Sequence, residues 1–469
     1  MSSQHLEQRA LHRGAVTEPK LGLLVLGRKR PGFDPEWGAE VTKRIHEALD
    51  QLPWQVYVPS TNIADPPELE RAVRSCRAED VTVLLVVQPT ISDGRLAPVL
   101  AGLWSDPVVL WATTEKPTGA MISANSLVGT HVMAATLRQL GKQLEFVYGH
   151  PDDGETRAQL HRALAAVHAA GQLMGRSYGL VGYHAPGFVD FHADPVFLSE
   201  QLNSHLFHMS TTELIMMVGA YEASELRSEL EELRALGLPH GDGFSAEGDG
   251  GTELEMQARY YRAFRELFET QAFDALAFRC WPDLPSRTGH WPYLALAKLV
   301  SEGYPIAMEG DLDGALGSRI AESLGIGPVY LTDWLEHTRD SITIWHTGAA
   351  PFQLCDPVGS ETGPRLGVQF NNRLPTVVEA NIRAGMDATV FRLWRFDGCY
   401  LLASLEGRTA QPDRARMATN GRFVTAEIDV REWFEEMVQL GMPHHLCVVE
   451  GRHAETLRRV ARLIGAEEV

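Results

Sequence analysis

The chain has 469 residues and a mass of 51.9 kDa, room for about three domains or two large ones. Its 42 basic and 61 acidic residues leave a net charge of −19, which argues against a protein built to hold nucleic acid or to lie on an anionic membrane surface. With 44% apolar and 22% charged residues it has enough apolar matter for a large core and too much for a disordered chain, and no stretch approaches the roughly 18–20 apolar residues of a membrane span.

Residues 1–20 are polar and mixed in charge, without the basic flank and apolar stretch of a secretory signal, and read as a flexible tail. From 21 to 175 short apolar runs alternate with helical patterns. LGLLVLG (21–27), QVYVPS (55–60), VTVLLVVQ (81–88) and PVVLWAT (107–113) read as strands, and 36–52, 68–77 and 156–174 as helices. That alternation predicts an α/β domain on a mostly parallel sheet. A central α/β domain is expected over 176–340. Its predicted strands are YGLVGYH (178–184), FDALAFRCW (273–281), YPIAMEG (304–310) and PVYLTDW (328–334), and its helices lie at 212–236, 253–271, 293–302 and 314–324. A Gly- and acid-rich stretch, 238–253, reads as a mobile surface loop. From about Asp340 the texture changes to short strands separated by turns, which predicts a C-terminal β-rich, barrel-like domain over 341–469 with a last helix at 453–464.

The five cysteines, Cys76, Cys280, Cys355, Cys399 and Cys447, form no CxxC pair and indicate neither a disulfide framework nor a zinc knuckle. A reduced cytoplasm is the expected compartment. GRSYG (175–179) follows a predicted helix and precedes a strand, the reverse of a nucleophile elbow, and reads as a helix stop. There is no GxxxxGK[ST] phosphate loop and no GxGxxG after the first strand.

The strongest local feature is AMEGDLDGALG (307–317), where a predicted strand ends at Glu309 and turns into a helix. Ligands of open α/β sheets bind beyond such strand ends. Asp311 and Asp313 fit the plainer role of helix caps. A carboxylate at Glu309, after four largely apolar residues, needs a cation or a donor. The next predicted strand ends the same way at Asp333. If the two strands are neighbours, about 4.8 Å apart, the carboxylates converge and a divalent cation resolves their repulsion; the plainer reading makes Asp333 the cap of a short helix at 334–337. Of 18 histidines, His346 follows an apolar strand, and His444 and His445 precede another. Successive strand residues face opposite ways, so one of that pair is expected at a site, and parity leaves open which. Two carboxylates with one or two imidazoles suit Mn²⁺, with Mg²⁺ or Co²⁺ as substitutes.

Taken together, EGDLDGAL (309–316), TDW (332–334) with its Asp 24 residues after Glu309, WHTGAAP (345–351) and HHLCVVEG (444–451) resemble the L-fucose isomerase and L-arabinose isomerase family, closer to its fucose-type branch. The resemblance spans nearly the whole chain. It implies two Rossmann-like α/β domains followed by the β-rich domain. It also implies Mn²⁺ held by Glu309, Asp333 and His445, with Glu309 and Asp333 as the acid/base pair. His346 is implied as a substrate contact or a further ligand. RKRPGFD (28–34), with Arg28 and Arg30, resembles a family segment that reaches a neighbouring subunit's site; NSLVG (125–129), with Asn125, and CWPDL (280–284), with Trp281, resemble segments near the substrate. The implied activity is aldose–ketose isomerisation through an enediol in a homo-oligomer, a trimer or hexamer. Its substrate is a hexose or pentose, or a C6-sulfonated sugar as in the conversion of sulfoquinovose to sulfofructose. A non-catalytic sugar-binding protein and a metal-dependent hydrolase using the same ligands are the alternatives.

Overall fold

The structure, a computed structural model, describes residues 19–29, 33–60, 62–244 and 251–469. All but the end of the expected tail, Arg30, and positions 245–250 of the expected loop lie outside those residues. The chain divides into two compact units, and the parallel α/β sheets and the C-terminal barrel expected from the sequence are both present.

One unit comprises residues 19–174 with 455–465. Its sheet has the order β2-β1-β3-β4-β5, where β1 is Lys20–Val25, β2 Gln55–Tyr57, β3 Val83–Gln88, β4 Val108–Ala112 and β5 Leu144–Tyr148. All neighbours are parallel. The central strands VLLVVQ and VVLWA are buried along their whole length, as a sheet covered on both faces requires. Its first two helices start on acidic caps: Asp34 accepts from the amides of Glu36 and Trp37, and Asp65 from that of Glu68. The helix Ala454–Ile464, expected in the C-terminal domain, packs with this unit for nearly all its length, and its Arg459 pairs with the buried Glu145 of β5. Strand β5 and the helix Ser126–Gln139 were not legible in the sequence.

The second unit comprises residues 175–454 with 466–469. Gly175, at φ +68°, ends the preceding helix, and β6 (Ser177–Val181) begins directly after it. With β7 (His205–Met209), β8 (Ala275–Phe278) and β9 (Ile306–Ala307) it forms a parallel sheet of order β7-β6-β8-β9. The helix expected over 212–236 is two helices, Thr211–Ala220 and Arg227–Ala235, because a turn capped by Glu222 and Glu225 separates them.

The third sheet contains β10 (Tyr330–His337), β11 (Ser341–His346), β12 (Arg365–Val368), β13 (Pro375–Asn381), β14 (Asp387–Phe396), β15 (Cys399–Ala410), β16 (Thr419–Val424), β17 (His445–Glu450) and β18 (Glu467–Glu468). Its order is β12-β13-β16-β11-β10-β17-β14-β15-β18, and β15 also pairs with β16. That extra pairing closes β16, β11, β10, β17, β14 and β15 into an antiparallel barrel.

Strand β10 therefore belongs to the barrel and not, as the sequence reading supposed, to the parallel sheet beside β9. Nor does a helix follow Asp333, since β10 runs on to His337. The helix Leu312–Leu324 lies between the two sheets, touching β8 and β9 on one side and β14 and β17 on the other. Gly317 makes that approach possible, because a Cβ there would stand 2.9 Å from the Cys447 sulfur.

The turn joining β9 to this helix is tight. Glu309 and Gly310 both have positive φ, +61° and +78°. A Cβ on Gly310 would lie 2.2 Å from the Tyr183 carbonyl oxygen, which is backbone and cannot swing away. Gly310→Ala is therefore expected to cost more than about 2 kcal/mol, read as a lower urea midpoint at unchanged slope.

Candidate metal centre

Glu309 sits just past the C-terminal edge of the four-stranded sheet, in a backbone conformation uncommon for a non-glycine residue. Ala185 N–H holds its carbonyl at 2.8 Å, and Gly310 N–H donates to the Phe278 carbonyl at 2.9 Å, so the loop after β6 and the end of β8 both fix the turn. The Trp281 indole N–H donates to Glu309 Oε1 at 2.9 Å. Oε2 is left facing the barrel.

The barrel brings the other groups. Asp333 of β10 is directly opposite His445 of β17 and Trp345 of β11, and His346 is the last residue of β11. His445 Nε2 lies 3.3 Å from Glu309 Oε2 and 3.4 Å from Asp333 Oδ1, with no hydrogen-bond partner among the described residues. His346 Nε2 is 3.9 Å from each of the same two oxygens. The expected convergence of Glu309 and Asp333 is thus present, but a parallel-sheet turn and a barrel strand produce it, not neighbouring strands of one sheet.

Both His444 and His445 face the cluster, contrary to the expectation that only one of the pair would. His444 lies one residue before β17, outside the strand's alternation, and its ring centroid is 4.6 Å from that of His445. Its Nδ1 contacts Asp190 Oδ2 at 2.6 Å, while Phe188 and Phe191 flank the ring. Asp190 sits on a short turn, Val189–Phe191, that no motif signalled. Among the described residues two sets that could hold a metal ion have donor atoms within 4.8 Å of one another: Glu309, His444 and His445, and Asp333, His346 and His445.

The electrostatics follow from burial among opposite charges. Burial alone would raise the pKa of Glu309 and of Asp333; the facing imidazoles of His346 and His445 outweigh it and hold both carboxyls below their ordinary values. Burial works against a charged His445, yet the hydrogen bond to Asp311 and the facing carboxylates of Asp333 and Glu309 raise its pKa well above the usual value. Asp311, fully buried, is held low chiefly by Arg392 against the cost of its own burial. Two carboxylates and an unpartnered imidazole nitrogen at this spacing fit a divalent cation of the hard-to-borderline kind, whose positive charge takes the lone pairs that otherwise confront one another.

In front of the cluster opens a cavity of about 610 Å³, within the range of small-molecule sites. Glu309, Asp333, His346 and His444 line it together with Trp281, Trp291, Trp345, Phe370, Asn371 and Asn372. Among the described residues no Lys or Arg lines it.

Of the residues singled out from the sequence, the structure brings together Glu309, Asp333, His346, His445 and Trp281. Trp281 touches Glu309 directly, a contact its position in CWPDL did not reveal. Arg28 and Asn125 are in the other unit, where Arg28 follows β1 and Asn125, at φ +52°, precedes the helix Ser126–Gln139. Asp311 caps its helix as expected, accepting from Gly314 N–H at 2.9 Å, whereas Asp313 instead pairs with Arg395 at 3.0 Å. Asp311 also binds Arg392, which the sequence reading passed over. A lone Arg inside the apolar run VFRLW was the available signal, since a buried cation demands an anion.

An acidic and imidazole-bearing cluster beside an aromatic cavity, built where a parallel α/β sheet meets a β-barrel, defines a candidate metal site next to a small-molecule cavity. No protein-family model matches the chain. It is similar to a protein named sulfoquinovose isomerase from Priestia megaterium, 24% identical over 447 residues that cover 94% of this chain and 97% of the relative. It is also similar to proteins of that name from Alkalicoccus urumqiensis, 25% identical over 80% of this chain and 82% of the relative, and from a Clostridium species, 27% identical over 82% and 85%. No helix among the described residues is long and apolar enough to cross a membrane.

The pKa directions set a pH profile for the protein held free of metal by a chelator. Glu309, Asp311 and Asp333 have lowered pKa values, so their stabilisation is complete above the ordinary values of 4.5 and 3.8 and is lost as pH falls through the folded ones. His445 has a raised pKa, so its contribution is complete below 6.5 and is lost as pH rises through the folded value. The thermal midpoint is expected to peak between those limits and decline on both sides, and His445→Asn is expected to flatten the alkaline decline.

Proposed function

We propose that the chain is a metal-dependent aldose–ketose isomerase that converts sulfoquinovose to sulfofructose in the cytoplasm, with Mn²⁺ as its cation and Mg²⁺ or Co²⁺ as substitutes. The observation that carries this reading is the convergence of Glu309 Oε2 and Asp333 Oδ1, which line a sugar-sized cavity, on the unpartnered Nε2 of His445 behind them. Relatives with the name sulfoquinovose isomerase align along nearly the full chain, which supports the substrate.

Glu309, Asp333 and His445 would hold the cation, with His346 or His444 as a further donor. When bound, such a cation supplies positive charge where oxygen becomes negative as a proton leaves the adjacent carbon. Proton movement falls to the two carboxylates. One takes the proton from C2 and returns it to C1; the other relays the hydroxyl proton between O2 and O1. Trp281 keeps Glu309 Oε1 occupied, so that Oε2 alone faces the reacting end. The indole faces of the cavity suit the apolar C–H surfaces of a sugar ring, and Asn371 and Asn372 suit its hydroxyls. Since no Lys or Arg lines the cavity among the described residues, the sulfonate's counter-charge would come from elsewhere. A trimer or hexamer in which another copy supplies Arg28 and Arg30 would provide it.

The test is a sugar screen on metal-loaded protein. Sulfoquinovose is expected to equilibrate with sulfofructose, and sugars lacking the C6 sulfonate to react much more slowly. Glu309→Gln is expected to lower the rate at least about 10²-fold. Binding without a ketose product would indicate a receptor, and two products would indicate a hydrolase.

In D₂O, solvent deuterium is expected at the exchanging carbon. A product free of deuterium would overturn the enediol route in favour of a hydride shift.

A further inference from the structure

We propose that Asp311 is the positioning residue of the metal centre: it takes the Nδ1–H of His445, which turns the Nε2 lone pair toward Glu309 and Asp333, and Arg392 holds Asp311 in place for that task. The proposal rests on reading the cluster as a cation site and assigns a role to residues outside the ligand set.

Asp311 is fully buried, and both of its oxygens are saturated. Oδ1 accepts from Gly314 N–H at 2.9 Å and from Arg392 Nη2 at 2.8 Å. Oδ2 accepts from Arg392 Nη1 at 2.6 Å and faces His445 Nδ1 at 3.0 Å. An ionised carboxylate only accepts, so the hydrogen between Asp311 and His445 resides on Nδ1. With that hydrogen committed, a neutral His445 offers its only lone pair at Nε2, the atom 3.3 and 3.4 Å from the two carboxylate oxygens of the cluster. The ring cannot turn over without breaking the Asp311 contact, and Phe191 packs against it with centroids 4.5 Å apart.

Asp311 itself is pinned from two directions. The first turn of the helix Leu312–Leu324 holds one oxygen, and the guanidinium of Arg392, wholly buried in β14, grips both. Such bidentate pairing fixes direction as well as distance. The geometry goes beyond helix capping, because a cap uses one oxygen and needs neither arginine nor histidine.

Asp313 provides an internal control. It lies in the same helical turn, is also buried and also pairs with an arginine, Arg395, but it touches no member of the cluster. Asp311→Asn and Asp313→Asn each break a buried ion pair, and only the first reaches His445.

The experiment measures Mn²⁺ binding alone, by calorimetric titration, for wild type and both variants, with the thermal midpoint of each recorded. Asp311→Asn is expected to weaken Mn²⁺ about 10–100-fold, the usual effect of removing a carboxylate behind a metal-binding histidine. Asp313→Asn is expected to lose stability and keep wild-type affinity. Unchanged affinity in Asp311→Asn, or an equal loss in both variants, would overturn the proposal. Should Asp311→Asn not fold, ¹⁵N-histidine NMR of the wild type with Zn²⁺ replaces it: His445 is expected to carry its proton on Nδ1, and a proton-free Nδ1 would sink the assignment. A wild type that takes up no metal would overturn the cation reading, whereas the Nδ1–H assignment is still read by NMR in that case, so the two failures are distinct.

Discussion

The constraint on which this unit turns is electrostatic. Glu309 and Asp333 point oxygens at a single imidazole nitrogen, in a place where Glu309 and His445 are almost wholly shielded from water. Two anions and a lone pair so placed repel unless something positive lies between them. A proton on His445 is one solution, and the carboxylates around the ring favour it. A divalent cation is the other, and on the proposed reading it would take the same space. Proton and metal therefore compete for one position, and every group that bears on His445 bears on the outcome.

That competition depends on docking two sheets of different kinds. Glu309 comes from a left-handed turn after a two-residue strand, whereas Asp333, His346 and His445 come from barrel strands. The helix Leu312–Leu324 ties them together. Its N-terminus carries Asp311, its middle packs on β17 and β14 through Gly317, and its other side covers β8 and β9. The ion pairs Asp311–Arg392 and Asp313–Arg395 cross the same junction. Replacing buried pairs of this kind with apolar residues is often neutral or stabilising in general. What they supply here is a fixed direction for the groups at the junction.

Much of this was legible in the sequence, and for identifiable reasons. Parallel strands announced themselves because VLLVVQ and VVLWA are buried on both faces and so are continuously apolar. Glu309 stood out because a carboxylate after Ile306–Met308 has to be accounted for. The barrel was readable from its short strands and turns, although the helix Ala454–Ile464 belongs almost wholly to the other unit, since tertiary partners leave no trace in local pattern. The sheet membership of Asp333 misled for the same reason: β10 is as apolar at its start as a parallel strand, and its partners β11 and β17 lie up to about a hundred residues further on. The alternation rule failed at His444 because the strand begins one residue later. Asp190, Phe188 and Phe191 lie in a loop with no periodicity at all.

On the proposed reading, the division of labour within the cavity follows from where its charges lie. The acidic and imidazole groups converge on one another, and indole and amide side chains complete the lining. A dication with two carboxylates is close to neutral, so the chemical end exerts little net pull on an anionic sugar. The chain as a whole, at −19, repels one. Selectivity for a sulfonate therefore cannot originate at the metal centre. It has to arise at the far end of the sugar, through donors that meet the sulfonate oxygens. On that reading the centre would act on any aldose that reaches it, and the groups at the distal end would decide which aldose does.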